Sequence, residues 1–322
     1  MKKILLTNKY SGTPLSIVKG ELPDGFELHF LSEQTQDALQ NEAADADYIL
    51  AGGRLKITRS VLDHAEKLRM IQRSGVGLDA LDLDAMREKG IPLYVNQGVN
   101  AQSVAEHALL LMLACLRKLP TIDRNSKNGI WNKQEQGVQT VELKGKTVGI
   151  VGMGNTAKTL VGLLKPFHVQ ILYYDIAPTA PEFEAENNMQ FAGLDEIFQR
   201  ADIVTLHCAL TPETRNLINA ATIRQMKDGA RLVNTARGEL VDPRALADAL
   251  QSGKLSYAAL DVHAEEPIPA DYPLKETDHV ILTPHIAGVT ADSFRAMMHD
   301  AFRNIACFDK GELERIAPYR YL

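Results

Sequence analysis

The amino-acid sequence predicts an α/β protein of two domains, each built on a doubly wound parallel sheet. Short apolar runs alternate with amphipathic helical stretches almost throughout the 322 residues, and this alternation is typical of βα units that form a parallel sheet. A long helical pattern over 101–118, with no glycine or proline inside it, separates five strand candidates from six. A chain of this length also exceeds one small core, which again favours two domains.

Each predicted strand is a short run rich in apolar and aromatic residues. In the first hundred residues the runs are KILLTN, FELHFL, YILAG, RMIQRS and IPLYVN, and from residue 146 onward they are TVGIVG, VQILYYD, IVTLHC, ARLVNTA, YAALDV and VILTP. A second helix is expected after Pro120, and a final helix over about 291–309 has no strand to follow it. We therefore expect this last helix to return to the first domain.

The composition is that of an ordinary globular protein and argues against two classes of partner. The chain is 45% hydrophobic and 24% charged, which is typical of a folded domain rather than a disordered one. Its formal net charge of −6 provides no basic footprint for nucleic acid or for an acidic membrane surface. Net charge does not exclude the binding of a small anion by a local arginine.

The sequence carries no sign of a metal site, of secretion or of a membrane span. Cys115, Cys208 and Cys307 lie far apart without metal-ligand spacing, so we expect reduced thiols and no metal. The N-terminal MKKILLTNKY lacks the apolar core of about 7–15 residues that a secretion signal needs. The apolar segment ALLLMLACL (108–116) is shorter than the ~20 residues that span a bilayer. We therefore predict a cytoplasmic protein.

A glycine-rich turn follows the first strand of the second half. Gly152-x-Gly154-x-x-Ala157 stands directly after an apolar strand and opens a helix. In a dinucleotide site the first glycine makes the tight turn and the second allows close approach of a pyrophosphate. The third, small residue lets the helix pack on the strand, with the phosphates at the helix N-terminus. The motif alone is a weak signal, because such turns also occur without a ligand.

An acidic residue strengthens this interpretation. The next strand, VQILYYD, ends in Asp175, 23 positions after Gly152, and an acid at roughly 20 residues is what the ribose hydroxyls of NAD require. The following IAPTA contains no arginine or lysine for a 2′-phosphate, so NAD is favoured over NADP. The alternative, a turn-forming aspartate, is less favoured once the glycine turn is taken into account.

Three later strands end in ionisable residues. LVNTAR ends in Arg237, AALDVHAEEP contains Asp261 and Glu266, and ILTPH ends in His285. Taken singly, each has a structural alternative: an ion-pair partner, a helix or turn cap, or a buried histidine with its bonds satisfied. The carboxyl ends of parallel strands meet at one edge of the sheet, where ligands bind. The group is therefore predicted to lie at the nicotinamide end of a cofactor site.

These side chains suit hydride transfer to a 2-oxo acid. The fork of Arg237 can bind a carboxylate and polarise the adjacent ketone, and Gly238 is expected to permit the turn that leaves this side chain facing the cleft. His285 can give the carbonyl oxygen its proton and take it back in oxidation. Glu266, bonded to the far ring nitrogen, would fix the tautomer of that histidine and favour its protonated form.

Together these motifs resemble the D-isomer-specific 2-hydroxyacid dehydrogenases, over about residues 70–290. The matching segments are RSGVGLDALDL, NAQSVAEHALLLML, LKGKTVGIVGMGN, ADIVTLHCALTPETRNLI, LVNTARGELVD, LDVHAEEP and LTPHIAG. The resemblance implies an NAD-dependent oxidoreductase acting on the CH–OH group of small 2-hydroxy acids. It also implies a Rossmann NAD-binding domain (100–288) inserted into a smaller flavodoxin-like substrate domain (1–99 and 289–322), and a homodimer formed through the NAD-binding domain.

The resemblance assigns roles to individual residues. Arg237 would orient the substrate, His285 would be the acid/base, and Glu266 would be its carboxylate partner. The other substrate-binding residues would be Arg54, in the specificity loop AGGRLK (51–56), and the backbone of Val76 and Gly77. The cofactor-binding residues would be Gly152, Gly154, Asn155, Thr156, Asp175, Cys208, Ala209, Thr214, Thr235, Ala236, Asp261 and Gly288.

The chain departs from the family pattern at two places. It has Gly98 where the family often has proline before the interdomain helix, so a less rigid hinge is expected. Relatives that act on formate place glutamine where Glu266 stands, so a carboxylate here argues against formate.

Two alternatives to a dehydrogenase of unphosphorylated 2-oxo acids stay open. One is phosphoglycerate dehydrogenase proper, which we favour less because no regulatory extension follows the core and the specificity loop offers a single arginine, Arg54. For the favoured dehydrogenase of unphosphorylated 2-oxo acids, the substrate would be hydroxypyruvate, glyoxylate, pyruvate or a bulkier 2-oxo acid. The other is a non-catalytic NAD(H)-sensing protein that resembles the corepressors of this family.

Four further residues have structural interpretations. His107 is expected to be structural rather than catalytic, and His207 is expected to face the cofactor without titrating in catalysis. His263 is expected in an exposed loop. Trp131 is expected to pack or to line the cleft.

Overall fold

The computed structural model describes residues 1–53 and 55–322 and divides them into two compact units. The first combines residues 1–100 with 289–322, and the second is the continuous stretch 101–288. The second unit is thus inserted into the chain of the first. Arg54, predicted for substrate binding, lies outside the described residues.

The first unit is built on a five-stranded parallel sheet. Its strand order is β2-β1-β3-β4-β5, the doubly wound order of flavodoxin-like folds. All four residues of β3 are buried, because helices cover both faces of a parallel sheet. The strands are β1 (Lys2–Leu6), β2 (Phe26–Phe30), β3 (Tyr48–Ala51), β4 (Met70–Arg73) and β5 (Leu93–Val95), and the helices that follow them are α1 (Gly12–Gly20), α2 (Gln36–Glu42), α3 (Arg59–His64) and α4 (Leu83–Lys89).

The final helix, α13 (Ala291–Asp309), belongs to the first unit and packs against β4. It begins with a capping box: the peptide N–H of Ser293 donates to Thr290 Oγ1 at 3.0 Å, and the peptide N–H of Thr290 donates to Ser293 Oγ at 2.8 Å. Such reciprocal bonds satisfy two N–H groups that a helix start leaves without partners. The predicted bounds of this helix are confirmed.

The second unit is built on a seven-stranded parallel sheet with the order β12-β11-β10-β9-β6-β7-β8. This is the Rossmann order with one strand added at an edge, and the predicted fold class is confirmed. The strands are β6 (Thr147–Val151), β7 (Gln170–Tyr174), β8 (Met189–Phe191), β9 (Ile203–Leu206), β10 (Ala230–Asn234), β11 (Leu255–Leu260) and β12 (Val280–Leu282). The helices are α5 (Ala101–Leu116), α6 (Leu119–Lys127), α7 (Lys133–Gly137), α8 (Asn155–Leu164), α9 (Pro181–Asn187), α10 (Leu194–Arg200), α11 (Ala220–Gln225) and α12 (Pro243–Gln251).

The count of six strands in this half was wrong, because β8 was missed. β8 has three residues at the edge of the sheet, and only Met189 among them is buried. A strand this short leaves too little pattern to recognise. The predicted second helix is confirmed, although α6 begins at Leu119 and takes Pro120 into its first turn, where its missing N–H costs nothing.

Both faces of the second sheet carry a core. Leu232 and Val233 are adjacent in β10 and fully buried, yet they belong to two different hydrophobic clusters. Leu232 shares its cluster with Leu246 of α12, whereas Val233 shares the other with Met112 of α5. Successive side chains of a strand point to opposite faces, so a strand covered on both sides is a continuous apolar run. Among the described residues, no helix is long and apolar enough to cross a membrane.

Candidate active site

The glycine turn connects β6 to α8, and its first glycine stands where no side chain fits. Gly152 has a φ of +94°, and a Cβ there would lie 2.5 Å from the backbone nitrogen of Cys208. Only glycine satisfies both constraints. At Gly154, which precedes the first residue of α8, a Cβ would meet nothing within 4 Å. The second glycine therefore leaves open space next to the N-terminus of α8, where Asn155 and Thr156 form the first turn.

Asp175 follows β7 and bonds to the glycine turn. Its Oδ2 accepts a hydrogen bond from the peptide N–H of Met153 at 2.6 Å, and its Oδ1 accepts one from the peptide N–H of Ile176 at 2.6 Å. The carboxylate thus joins the ends of β6 and β7. This bond to Met153 was not anticipated from the sequence.

The loop after β9 contains three of the predicted cofactor residues. Thr214 Oγ1 donates to the carbonyl of Ala209 at 2.8 Å and closes a tight turn. Burial raises the pKa of the Cys208 thiol to about 11, so the thiol stays protonated at neutral pH. Burial lowers the pKa of His207 to about 4, so its ring is neutral there. Neither side chain carries charge at neutral pH.

The turn that carries Arg237 is held by a buried amide. Asn234, the last residue of β10, is fully buried; its Nδ2 donates to the carbonyl of Arg237 at 2.7 Å and its Oδ1 accepts from the peptide N–H of Ala236 at 3.0 Å. Arg237 Nη1 donates to the carbonyl of Ala236 at 2.6 Å. The hydroxyl of Thr235 is buried and has no hydrogen-bond partner in the described part of the chain. Sequence reasoning missed Asn234, although an amide closing an apolar strand is a usable signal.

Gly238 is required for a different reason than the one expected. Its φ is not in the left-handed region, so turn freedom does not explain it. A Cβ at this position would lie 2.0 Å from the carbonyl carbon of His263 and 2.2 Å from the nitrogen of Ala264. The chain after Arg237 thus passes directly against the loop after β11, and only glycine leaves room.

Asp261 is the first residue after β11 and is fully buried. Its Oδ1 accepts hydrogen bonds from Thr283 Oγ1 at 2.6 Å and from the peptide N–H of Ile286 at 3.0 Å. Its Oδ2 accepts one from the peptide N–H of Ala287 at 2.8 Å. Both oxygens of this predicted cofactor residue are thus already bonded to the chain, next to Gly288.

His285 and Glu266 form the pair that was expected. His285 Nδ1 lies 3.1 Å from Glu266 Oε1 and 3.0 Å from Oε2. Glu266 Oε1 also accepts a hydrogen bond from the peptide N–H of His263 at 3.0 Å. The side chain of Glu266 is 18% exposed and that of His285 is 49% exposed. The other ring nitrogen of His285, Nε2, has no hydrogen-bond partner among the described residues, so a substrate can reach it.

The interpretation of His263 was wrong, and so was one of the two alternatives for Trp131. His263 is only 8% exposed; its Nε2 lies 3.1 Å from the carbonyl oxygen of Thr283 and its Nδ1 lies 3.4 Å from the hydroxyl of Tyr272. The ring therefore packs under the loop. Trp131 is 80% exposed and therefore does not pack into a core of the described residues, whereas its alternative role, lining the cleft, stays a prediction.

The remaining substrate residues lie in the first unit. Val76 and Gly77 follow β4, in the loop whose backbone is held by a hydrogen bond from Arg73 Nε to the carbonyl of Gly77 at 2.8 Å. The side chain of Val76 is exposed. No group of three or more His, Cys, Asp or Glu side chains in the described part of the chain is placed to hold a metal ion.

The second unit has the architecture of a dinucleotide-binding oxidoreductase: a Rossmann sheet, a glycine turn, and an acid at the end of the next strand. Residues 109–287 match the family model described as D-isomer specific 2-hydroxyacid dehydrogenase, NAD binding domain. The chain belongs to this family. It is an NAD-dependent oxidoreductase that acts on 2-hydroxy acids.

The similar proteins include enzymes with different substrates. The chain is 38% identical to a glyoxylate reductase of Thermofilum pendens, over 87% of this chain and 83% of that one. It is also 38% identical to a D-3-phosphoglycerate dehydrogenase of Methanocaldococcus jannaschii, over 97% of this chain but only 58% of that longer one. A structure of D-lactate dehydrogenase from Aquifex aeolicus, complexed with NAD and lactic acid, superposes with a TM-score of 0.86 at 28% identity and covers 99% of this chain and 98% of its own.

Two features at the carboxyl ends of β6 and β10 fit NAD. The open space at Gly154 allows a phosphate to approach the backbone, and the buried hydroxyl of Thr235 offers a hydrogen-bonding group that the described chain leaves without a partner.

Proposed function

We propose that this enzyme interconverts a small, unphosphorylated 2-oxo acid and its D-2-hydroxy acid, with His285 as the acid/base. The observation that carries the proposal is the pairing of His285 Nδ1 with both oxygens of Glu266, which leaves Nε2 available to the substrate. A histidine oriented by a carboxylate on its far nitrogen is a recurrent arrangement for proton transfer.

The residues divide the chemistry as follows. When NADH is bound, it supplies the hydride. Arg237 binds the substrate carboxylate by its guanidinium fork and polarises the ketone. His285 Nε2 donates a proton to the carbonyl oxygen in reduction and accepts it back in oxidation. Glu266 stabilises the positive charge of the protonated ring and, through the peptide N–H of His263, is itself held in place.

The cofactor site is proposed along the carboxyl edge of the second sheet. The glycine turn with Asn155 and Thr156 would contact the pyrophosphate, and Asp175 would bind the adenosine ribose. The bond from the peptide N–H of Met153 to Asp175 supports this role, since it aims the carboxylate at the same turn. The rest of the cofactor would be lined by Cys208, Ala209, Thr214, Thr235, Ala236, Asp261 and Gly288.

The first unit is proposed to bind the substrate carboxylate through the backbone of Val76 and Gly77. Its Arg54 is proposed to set the specificity for the substrate side chain. A single arginine in the specificity loop favours an unphosphorylated side chain. The similarity to a glyoxylate reductase agrees with this. The similarity to a phosphoglycerate dehydrogenase keeps 3-phosphohydroxypyruvate as the second candidate substrate.

The homodimer is likewise proposed to form through the second unit. Its helices and their connections expose large apolar side chains, among them Leu110 (54% exposed), Leu119 (52%), Ile130 (46%), Trp131 (80%) and Val138 (82%). Covering such side chains by a second copy is favourable. Light scattering of the wild type and of Trp131→Ser checks this, and a monomeric wild type contradicts it.

A substrate screen tests the proposed reaction. NADH oxidation at 340 nm is followed with glyoxylate, hydroxypyruvate, pyruvate, a bulkier 2-oxo acid and 3-phosphohydroxypyruvate. Turnover of an unphosphorylated acid is expected, and Arg237→Ala should abolish it while NADH still binds. The matched control is Arg244→Ala, which removes an exposed arginine of α12. Preference for the phosphorylated acid favours a phosphoglycerate dehydrogenase, and tight NADH binding without turnover of any acid favours a sensor.

A further inference from the structure

We propose that Asp261, Thr283 and His107 form a brace that holds His285 in the backbone conformation its function needs. We call these three residues the loop brace. The inference rests on the proposed role of His285 as the acid/base. It assigns Thr283 and His107 as positioning residues, and it adds a positioning role to Asp261. All of these residues belong to the second unit.

The backbone of His285 is in an unfavourable region. Its φ is +58°, a left-handed conformation that side-chain-bearing residues rarely adopt and that persists only where the surroundings impose it. His285 is separated from the end of β12 by only two residues. The left-handed conformation thus stands at the point where the chain leaves the sheet and turns the ring toward Glu266.

Asp261 accepts hydrogen bonds from three consecutive peptide N–H groups of the turn, the first of which also lies 3.1 Å from the carbonyl oxygen of Thr283. The peptide N–H groups of His285, Ile286 and Ala287 all donate to Asp261: the first to its carbonyl oxygen at 2.7 Å, and the other two to its carboxylate at 3.0 and 2.8 Å. Three consecutive N–H groups that converge on one residue leave the turn little freedom. The strained φ of His285 is held by these bonds.

The carboxylate of Asp261 needs partners, because it is fully buried. Thr283 Oγ1 donates to its Oδ1 at 2.6 Å. His107 of α5 places Nε2 3.4 Å from Thr283 Oγ1 and 3.7 Å from Asp261 Oδ1. The sheet register explains this closeness, since Leu260 pairs with Leu282 and the next residues along the two strands are Asp261 and Thr283.

Within the brace, Thr283 and His107 act on the orientation of the turn, and neither is proposed to contact the cofactor. The bond from Thr283 fixes the rotation of the carboxylate, so that both oxygens stay aimed at the N–H groups of Ile286 and Ala287. If that bond is lost, the turn can relax toward ordinary φ values and swing the ring of His285 away from Glu266. Small misplacements of a catalytic group are known to cost rate heavily.

The test removes one hydroxyl without changing side-chain shape. Thr283→Val should lower kcat about 10- to 100-fold and leave the Kd for NADH unchanged, and Thr283→Ser, which restores the hydroxyl, should recover most of the rate. Thr121→Val is the matched control, because it removes a half-buried hydroxyl that bonds elsewhere, near Tyr257. A loss of NADH affinity equal to the loss of kcat would overturn the proposal.

A second readout does not depend on activity. Amide hydrogen exchange at residues 285–287 should become faster in Thr283→Val and stay unchanged in Thr121→Val, and unchanged exchange together with wild-type kcat in Thr283→Val would refute the brace. If Thr283→Val does not fold, the same measurement is made on His107→Phe. Faster exchange at the same three amides supports the brace, and unchanged exchange refutes it. If the wild type turns over no 2-oxo acid, the proposed function fails, whereas the exchange measurement still decides the brace.

Discussion

Glu266 contacts His285 through both of its carboxylate oxygens, at 3.1 and 3.0 Å from Nδ1. The contact joins two residues that are 19 positions apart, one in the loop after β11 and one in the loop after β12. Because β11 and β12 are adjacent parallel strands, their following loops leave the same edge of the sheet. The orientation of the histidine is therefore a property of the strand order.

Replacing His285 should stop proton transfer to the substrate and leave cofactor binding unchanged. We expect His285→Gln to lower kcat by about 10²- to 10⁴-fold with an unchanged Kd for NADH, because the glutamine amide cannot donate a proton to the carbonyl oxygen. The matched control is His299→Gln, since His299 Nδ1 lies 3.0 Å from Glu21 Oε2 in the first unit and forms a similar pair. Stopped-flow turnover and NADH fluorescence titration measure the two quantities. Equal kcat in both variants would contradict the assignment.

Removing the charge of the carboxylate should have a smaller effect. We expect Glu266→Gln to lower kcat by roughly 10- to 100-fold, since it keeps a hydrogen-bond acceptor but no longer stabilises a protonated ring. The neighbouring Glu265 is exposed, and Glu265→Gln is therefore the control of equal charge change. If the two variants have the same steady-state kcat, the carboxylate has no part in the reaction.

Alanine substitutions at the two glycines of the turn should have different effects on stability and on NADH binding. Gly152→Ala places a Cβ 2.5 Å from the backbone of Cys208 at a φ of +94°, so we expect a loss of about 1–3 kcal/mol in the free energy of unfolding together with lost NADH binding. Gly154→Ala meets nothing within 4 Å, so its stability should be unchanged while NADH affinity falls, because the methyl group occupies the space proposed for the pyrophosphate.

Urea unfolding and NADH titration separate the two effects. Gly162→Ala is the control, as glycine 162 lies in α8 with free space around it and is not in the left-handed region. If Gly154→Ala binds NADH with wild-type affinity, the proposal that the pyrophosphate binds at this turn is contradicted.

The sequence predicted most of the fold because burial on two faces leaves a strong pattern. In a strand such as β10 both central residues must be apolar, since Leu232 and Val233 enter opposite cores. The edge strand β8 has no such requirement, and it was missed. Charged residues at strand ends were equally visible, because Arg237 and His285 interrupt apolar runs.

The residues that hold the site in place were harder to predict. Asn234 and Thr283 bond to groups that are distant in sequence or belong to the backbone. The amide of Asn234 at the end of an apolar strand was a usable signal that was overlooked, whereas neither the type nor the spacing of Thr283 signals its bond. His263 was expected in an exposed loop, yet it is buried and contacts Tyr272, nine residues further on. Such contacts are set by tertiary packing, which a single sequence does not display.

In the first unit, Asp309 should make stability depend on pH. It ends α13 and accepts hydrogen bonds from Lys2, from the hydroxyl of Tyr48 at 2.7 Å and from Arg69 at 2.5 Å. Burial raises the pKa of Asp309, but these donors outweigh it and bring the pKa to about 2, below the ordinary value of 3.8. A lowered pKa in the folded state means that the stabilisation is complete above about pH 5 and is lost as the pH falls toward 2.

We expect Asp309→Asn to reduce the free energy of unfolding at pH 7 by about 1–2 kcal/mol and to flatten its decline between pH 5 and pH 2. Asp45 provides the comparison: bonds from Lys3 and Lys67 also lower its pKa to about 2, but its side chain is 55% exposed against 18% for Asp309. Solvent screens such an exposed cluster, so Asp45→Asn should change stability less. Urea titrations at several pH values measure both variants, and a larger loss in Asp45→Asn would show that burial does not decide the strength of these ion pairs.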